Sequence, residues 1–120
     1  MSITPGASFD FADLPGRRPA DPLAEADAES SLRVVELERS EGRTAHRHPH
    51  SEEIVYVEAG AGDVWIDGEL HPVVAGDVVR IPRGATHATI PGEGEQMRLI
   101  CFFPHPTLSE NIEDTDTTVT

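Results

Sequence analysis

Short apolar and β-branched runs, each cut off by a turn sequence, succeed one another along the middle of this chain. Leu32–Glu38, Glu53–Glu58, Asp63–Asp67, Glu69–Val74, Val78–Ile81, Thr86–Ile90 and Gln96–Phe103 have the length and composition of strands. Gly60-Ala61-Gly62, Gly76-Asp77 and Pro91-Gly92-Glu93-Gly94 lie between them as turns. Asp67-Gly68 predicts a tight hairpin, because both residues tolerate the positive φ of a primed turn. No sustained 3.6-residue periodicity runs through the middle section; Ala24–Ser30 alone suggests a short helical turn. Strands this short and this closely spaced predict an all-β sandwich or barrel, a fold that can seat a ligand between its sheets.

Composition divides the chain into three sections. Residues 1–30, rich in Pro, Ala, Asp and Glu, read as an extended N-terminal arm that Phe9, Phe11 and Leu14 could dock. Residues 31–103 hold the strands. Residues 104–120 begin with Pro104 and Pro106, end in a polar Asp/Thr stretch, and read as a loosely held C-terminal tail. The 120 residues make one domain.

Charge and cysteine content narrow the partners. A net charge of −13 argues against nucleic acid, whose binding draws on a surplus of Lys and Arg. All nine basic residues are Arg, with no clustering in the sequence. Six of the 22 acids lie in residues 1–30 and four in 104–120, so the surplus belongs partly to the ends. One cysteine, Cys101, excludes an internal disulfide framework and a four-cysteine zinc site. It lies in the apolar run Leu99–Phe103 and is expected to be a buried small hydrophobe. Apolar runs too short to span a bilayer, and no secretory signal, lead to the expectation of a soluble cytoplasmic protein without a membrane partner.

The candidate chemistry lies in Ala45-His46-Arg47-His48-Pro49-His50-Ser51-Glu52-Glu53. Residues two apart on a strand share a face, so His46 and His48 project together, and Pro49 bends the chain before His50. A carboxylate follows at the next strand. Two imidazoles and a carboxylate suit a divalent transition metal, although a His-rich tract by itself is also compatible with an exposed loop. A second segment, Gly76 to His87, has a glycine at each end of a strand, Pro82 closing it, and His87 opening the next strand.

Together the two segments resemble the paired signature motifs of the cupin superfamily, over residues 42–91. His46-x-His48, four residues, Glu53, six residues and Gly60 follow the first motif; Gly76, Pro82, Gly84 and His87 follow the second. Two positions depart: the leading glycine of the first motif falls at Ser40, and the closing asparagine of the second is Pro91. Neither is a ligand position. The resemblance implies a cupin/jelly-roll β-barrel holding one divalent transition metal ion per chain (Fe, Mn, Ni, Zn or Cu) on His46, His48, Glu53 and His87. Glu52 is the rival carboxylate. It requires the shorter spacing, and alternation turns it away from the face of Glu53. His50 fits neither ligand column and reads as a residue of the pocket rim. If Glu53 points inward, Val55 and Val57 share its face; Thr89 shares that of His87; Arg98 is a candidate for a substrate carboxylate.

Cupins of this size include dioxygenases, isomerases and epimerases, decarboxylases and lyases, and ligand-binding proteins. The expectation is a metal-dependent enzyme acting on a small polar metabolite, with a dioxygenase slightly ahead of an isomerase, cyclising enzyme or lyase. A non-catalytic sensor or storage protein is the alternative from another class. The resemblance also implies a homodimer, in which the N-terminal strand can exchange between subunits.

Overall fold

The structure, a computed structural model, describes residues 1–23 and 25–119. Among the described residues, ten strands form two antiparallel five-stranded sheets that face each other as a jelly-roll barrel. The strands are β1 (Arg17–Ala20), β2 (Ser31–Glu38), β3 (Thr44–Arg47), β4 (Glu53–Ala59), β5 (Ala61–Ile66), β6 (Glu69–Val74), β7 (Val78–Ile81), β8 (His87–Pro91), β9 (Gln96–Phe103) and β10 (Glu113–Thr118). One sheet has the order β1-β2-β9-β4-β7, the other β10-β3-β8-β5-β6.

Alternation decides what enters the barrel. In β9, Met97, Leu99, Cys101 and Phe103 are buried, while Phe102 between the last two and Gln96 before the first are exposed. In β4, Glu53, Val55 and Val57 point inward and Tyr56 outward. Val55, Val57, Met97, Leu99, Cys101 and Phe103, with Val35, Leu37, Val64 and Ile81, form the apolar core between the sheets. The β5–β6 hairpin turns on Asp67 and Gly68, both at positive φ (45° and 96°), as the primed turn requires. β6 is an edge strand, mostly exposed, and therefore tolerates Pro72 within it.

The strands of the middle section stand where the sequence places them, to within two residues at either end. The two ends of the chain hold more structure than the sequence suggests. Within the arm, β1 pairs antiparallel with β2 of the same chain, from Arg17 opposite Leu37 to Ala20 opposite Val34. Phe11 lies beneath the Arg18 and Arg98 guanidiniums, 5.1 and 5.9 Å from its ring centre. The tail is not loosely held: β10 pairs with β3, Glu113 opposite Arg47 and Asp114 opposite His46. Its six residues are polar and mostly exposed, so no apolar pattern marked the strand; backbone pairing along the free side of β3 holds it. The helical turn expected over Ala24–Ser30 begins at Ala24, outside the described residues; residues 25–30 form turns and bends. Among the described residues no helix is long and apolar enough to cross a membrane.

Candidate metal centre

The site forms where the two sheets face each other. β3 carries His46, and pairing with β8 sets His46 directly opposite His87. His48 follows just after the end of β3, and Glu53 opens β4 in the other sheet, opposite Ile81 of β7. The three imidazoles offer ring nitrogens that all lie within 4.8 Å of one another, positioned to bind a metal ion. Oε1 of Glu53 is 3.2 Å from Nε2 of His48 and 2.9 Å from Nε2 of His87. His48, Glu53 and His87 are 3%, 5% and 3% exposed, and His46 is half-buried.

The Glu53 spacings fit donors that share a cation and equally a direct contact between the carboxylate and the two imidazoles. Two donors at right angles, each about 2.1 Å from one ion, lie about 3.0 Å apart. Nε2 of His48 and Oε1 of Glu53 are both buried, yet neither has hydrogen-bond geometry to any partner among the described residues. A buried acceptor and a buried ring nitrogen left this way are costly unless something else satisfies them. The other ring nitrogens are already committed. Nδ1 of His48 donates to the carbonyl of Asn111 at 2.7 Å, and Nδ1 of His87 to the carbonyl of Ala85 at 2.9 Å. Each bond fixes the tautomer that leaves Nε2 available for coordination.

Electrostatics suits a metal centre at His46 and Glu53, whereas His87 is held towards its protonated form. Burial chiefly, then the neighbouring His87, His48 and Arg17, pushes His46 down to about 3 against the pull of Glu53, so it is neutral near pH 7. Burial would push Glu53 up, but close contact with His48 and His87 outweighs it and holds the carboxyl well below its usual range. Burial would likewise lower His87, yet its contact with Glu53 raises it.

The residues singled out in the sequence fall into two groups. His46, His48, Glu53 and His87 line one cavity of about 80 Å³, and Val55 and Thr89 share its wall. Glu52 points the other way and pairs with Arg80 at 2.6 Å on the surface. Val57 is fully buried in the core and is not part of the cavity wall. His50 is exposed, its ring stacked on His105 at 5.4 Å, so it stands apart from the cavity. Arg98 projects from the outward face of β9 and pairs with Glu58 at 2.6 Å, away from the metal cavity.

Three arginines went unnoticed in the sequence. Arg17, Arg33 and Arg43 line the same cavity, which Arg33 enters beside Val35 and Leu37 on the inward face of β2. The alternation Arg33-x-Val35-x-Leu37 was the available signal. Cys101, opposite Arg33 in the register, lines the cavity too, and burial pushes its thiol well up. Asn111 is completely buried. Its Oδ1 accepts from the His50 backbone N–H and its Nδ2 donates to Ser51 Oγ, both at 2.8 Å. Nothing in the polar tail sequence indicated that role.

Known proteins place this fold. The chain is 34% identical over 90 residues to protein SchB of Streptomyces halstedii, covering 71% of this chain and 65% of that protein. It is 30% identical over 110 residues to "polyketide synthase CurC" of Streptomyces cyaneus, covering 88% and 58%. The chain thus spans about three fifths of the length of the curated relatives it matches. Among solved structures it is similar to the Streptomyces nucleoside dehydratase Pac13, with a TM-score of 0.77 at 14% identity and coverage of 99% and 94%. It is also similar to the polyketide cyclase RemF of Streptomyces resistomycificus, with a TM-score of 0.75 at 19% identity and coverage of 98% and 87%. At those identities the two structures bear on the fold alone. The Cupin domain family matches residues 33–103, more than half of the chain, and the protein belongs to that family.

Proposed function

We propose that this protein is a metal-dependent enzyme that promotes a ring closure or a related non-oxidative rearrangement of a small polyketide-type β-dicarbonyl substrate. The observation that carries this reading is the convergence of three imidazoles and one carboxylate on a cavity whose remaining wall is largely apolar. His46, His48, His87 and Glu53 are the proposed ligands of one divalent ion. Four protein donors leave positions of an octahedral ion open to substrate oxygens. When bound, such an ion supplies Lewis acidity, which stabilises the enolate oxygen of a 1,3-dicarbonyl unit.

The chain's own residues supply the rest. Val35, Leu37, Val55, Leu99 and Phe103 line the cavity and keep bulk water from the reacting end. The Asn111 and Ala85 carbonyls hold the His48 and His87 rings in one orientation. Thr89 offers a hydroxyl on the His87 face of β8. The polyketide names carried by CurC and RemF support this substrate class. They move the reading from the dioxygenase put slightly ahead in the sequence towards chemistry without oxygen. Within this reading the protein is an enzyme, its partner is a small molecule, and no nucleic acid is involved.

Protein purified without a tag should contain about one metal ion per chain by elemental analysis, and His48→Ala should remove it. Full metal occupancy in that variant would sink the ligand assignment. A short poly-β-ketone thioester, incubated anaerobically with the metal-loaded protein, should cyclise faster than in buffer. A strict requirement for oxygen, read on an oxygen electrode, would replace cyclisation by the dioxygenase reading.

A further inference from the structure

The three cavity arginines differ in what holds them. Arg33 is bound through both arms of its guanidinium to Asp21, Nε to Oδ1 at 2.8 Å and the second nitrogen to Oδ2 at 3.0 Å. Arg43 donates to the carbonyls of Glu38 and Gly16 and to Ser40 Oγ, tying the β1 turn to the loop before β3. The Arg17 guanidinium donates to no acceptor among the described residues, and Asp114 and Asp21 act on it only at a distance. Its neighbour shows the contrast. Arg18 lies opposite Glu36, faces outward, and is paired at 2.9 Å with both Glu36 and Asp13. Arg17 lies opposite Leu37, whose side chain lines the metal cavity, and so points inward, half-buried.

A guanidinium taken partly out of water with no acceptor loses solvation and gains nothing in return. A carboxylate offers the planar, two-pronged acceptor that matches its fork. We propose that Arg17 is the receptor for a carboxylate of the substrate, so that the substrate is an anion bound at one end by the metal centre and at the other by β1. This rests on the metal-dependent reading above and adds the substrate's charge and the residue that selects it. Size supports two-ended binding. The metal cavity, at about 80 Å³, is smaller than the roughly 150 Å³ cavity that accepts a benzene ring. Arg17 and Leu37 also border a second, open groove of about 470 Å³ whose other walls include Asp13, Arg18, Glu36 and Arg98 on the outward side of the sheet, so Arg17 stands at the rim where a substrate longer than the metal cavity would leave it.

The carboxylate of triacetic acid, a linear chain with a β-diketone at one end and the acid at the other, is a suitable probe. Its uncharged methyl ester is the control. Binding of each to zinc-loaded protein is measured by calorimetry for wild type, Arg17→Gln and Arg18→Gln, with zinc affinity measured separately. Wild type and Arg18→Gln should prefer the acid. Arg17→Gln should lose that preference by roughly 10- to 100-fold, the range of a charge-assisted hydrogen bond, with ester and zinc affinities unchanged. An undiminished preference in Arg17→Gln overturns the proposal, as does a parallel loss of ester binding or a wild type that binds neither probe. Failure to bind zinc, by contrast, strikes the metal-dependent reading itself. Glutamine is shorter than arginine but keeps a polar, uncharged end, and a Tm for Arg17→Gln near that of wild type shows that the barrel is intact.

Discussion

Replacing Asn111 by Ala tests whether the C-terminal segment is part of the metal centre. The side chain is fully buried and makes two hydrogen bonds of 2.8 Å, accepting from the His50 N–H and donating to Ser51 Oγ. Each such bond contributes about 1 kcal/mol net, and a donor left without a partner costs about 1–3 kcal/mol more. Ser51 Oγ keeps its bond to the Glu52 carbonyl, so the stranded group is mainly the His50 N–H. The sum is about 3–5 kcal/mol, or a fall in Tm of roughly 15 °C for a domain of this size. The same side chain anchors the backbone carbonyl that receives Nδ1 of His48 at 2.7 Å. Freeing that carbonyl should weaken zinc binding by about 10- to 100-fold, the usual effect of removing a group that orients a ligand. Thermal unfolding of the metal-free variant and zinc titration against a competing chelator read the two effects separately. Asn111→Asp retains the acceptor for His50 and should recover part of the stability. An Asn111→Ala protein within about 0.5 kcal/mol of wild type, with zinc affinity unchanged, would refute the reasoning.

Three further outcomes follow from the same geometry. Glu53→Gln should lose zinc affinity by at least tenfold, whereas Glu52→Gln removes only an exposed ion pair with Arg80 and should cost less than about 1 kcal/mol with zinc binding intact; equal zinc affinities in the two variants would reverse the carboxylate assignment. Zinc affinity should rise with pH through the raised value of His87, above its ordinary 6.5, because Nε2 must shed its proton, while His46 near 3 is already neutral and Glu53 already ionised. In the metal-free protein the His87–Glu53 pair adds stability that is fully present below 6.5 and lost as pH rises through the raised value; a flat zinc affinity from about pH 5.5 to 8.5 would contradict this. Gly16→Ala places a Cβ against the Ser40 side chain at a φ of +74° and should destabilise the protein by roughly 1–2 kcal/mol in denaturant unfolding, and no loss would show that β1 can shift freely.

The strand section was legible because its residues are half-buried and follow the period of two that a barrel wall imposes. Residues 69–74, 78–81 and 96–103 form strands within the boundaries their pattern suggests. Of the four candidate ligands, alternation indicated only that His46 and His48 project together; the full set came from the resemblance to the paired cupin motifs. The ends of the chain were not legible. β10 is polar, mostly exposed and held by backbone pairing, which leaves no trace in side-chain periodicity. Asn111 acts through its own carbonyl and through contacts some sixty residues away in sequence, a distance over which no local pattern carries information. Arg98 was a pocket candidate whose safer reading was a solvated arginine, and the outer face is where it stands. In β9 it alternates with the inward Met97 and Leu99, so it meets Glu58 on the surface and not the cavity.

A net charge of −13 says nothing about the inside of this barrel, because strand alternation sorts charge more finely than composition can. Two neighbouring like-charged pairs show it. Glu52 faces outward and is neutralised by Arg80, while Glu53 faces inward among histidines. Arg18 faces outward between Asp13 and Glu36, while Arg17 faces the cavity with no carboxylate in contact. In each pair the outward charge is compensated by the protein. Each inward charge lies beside the site where a ligand would compensate it: a cation between Glu53 and the imidazoles, an anion at Arg17. Burying such groups costs free energy in the empty protein, and that cost is recovered only on binding. On the two proposals together, cation and anion would favour each other's binding: the ion would raise the positive potential that an anionic substrate meets at Arg17, and the substrate's oxygens would complete the ion's coordination.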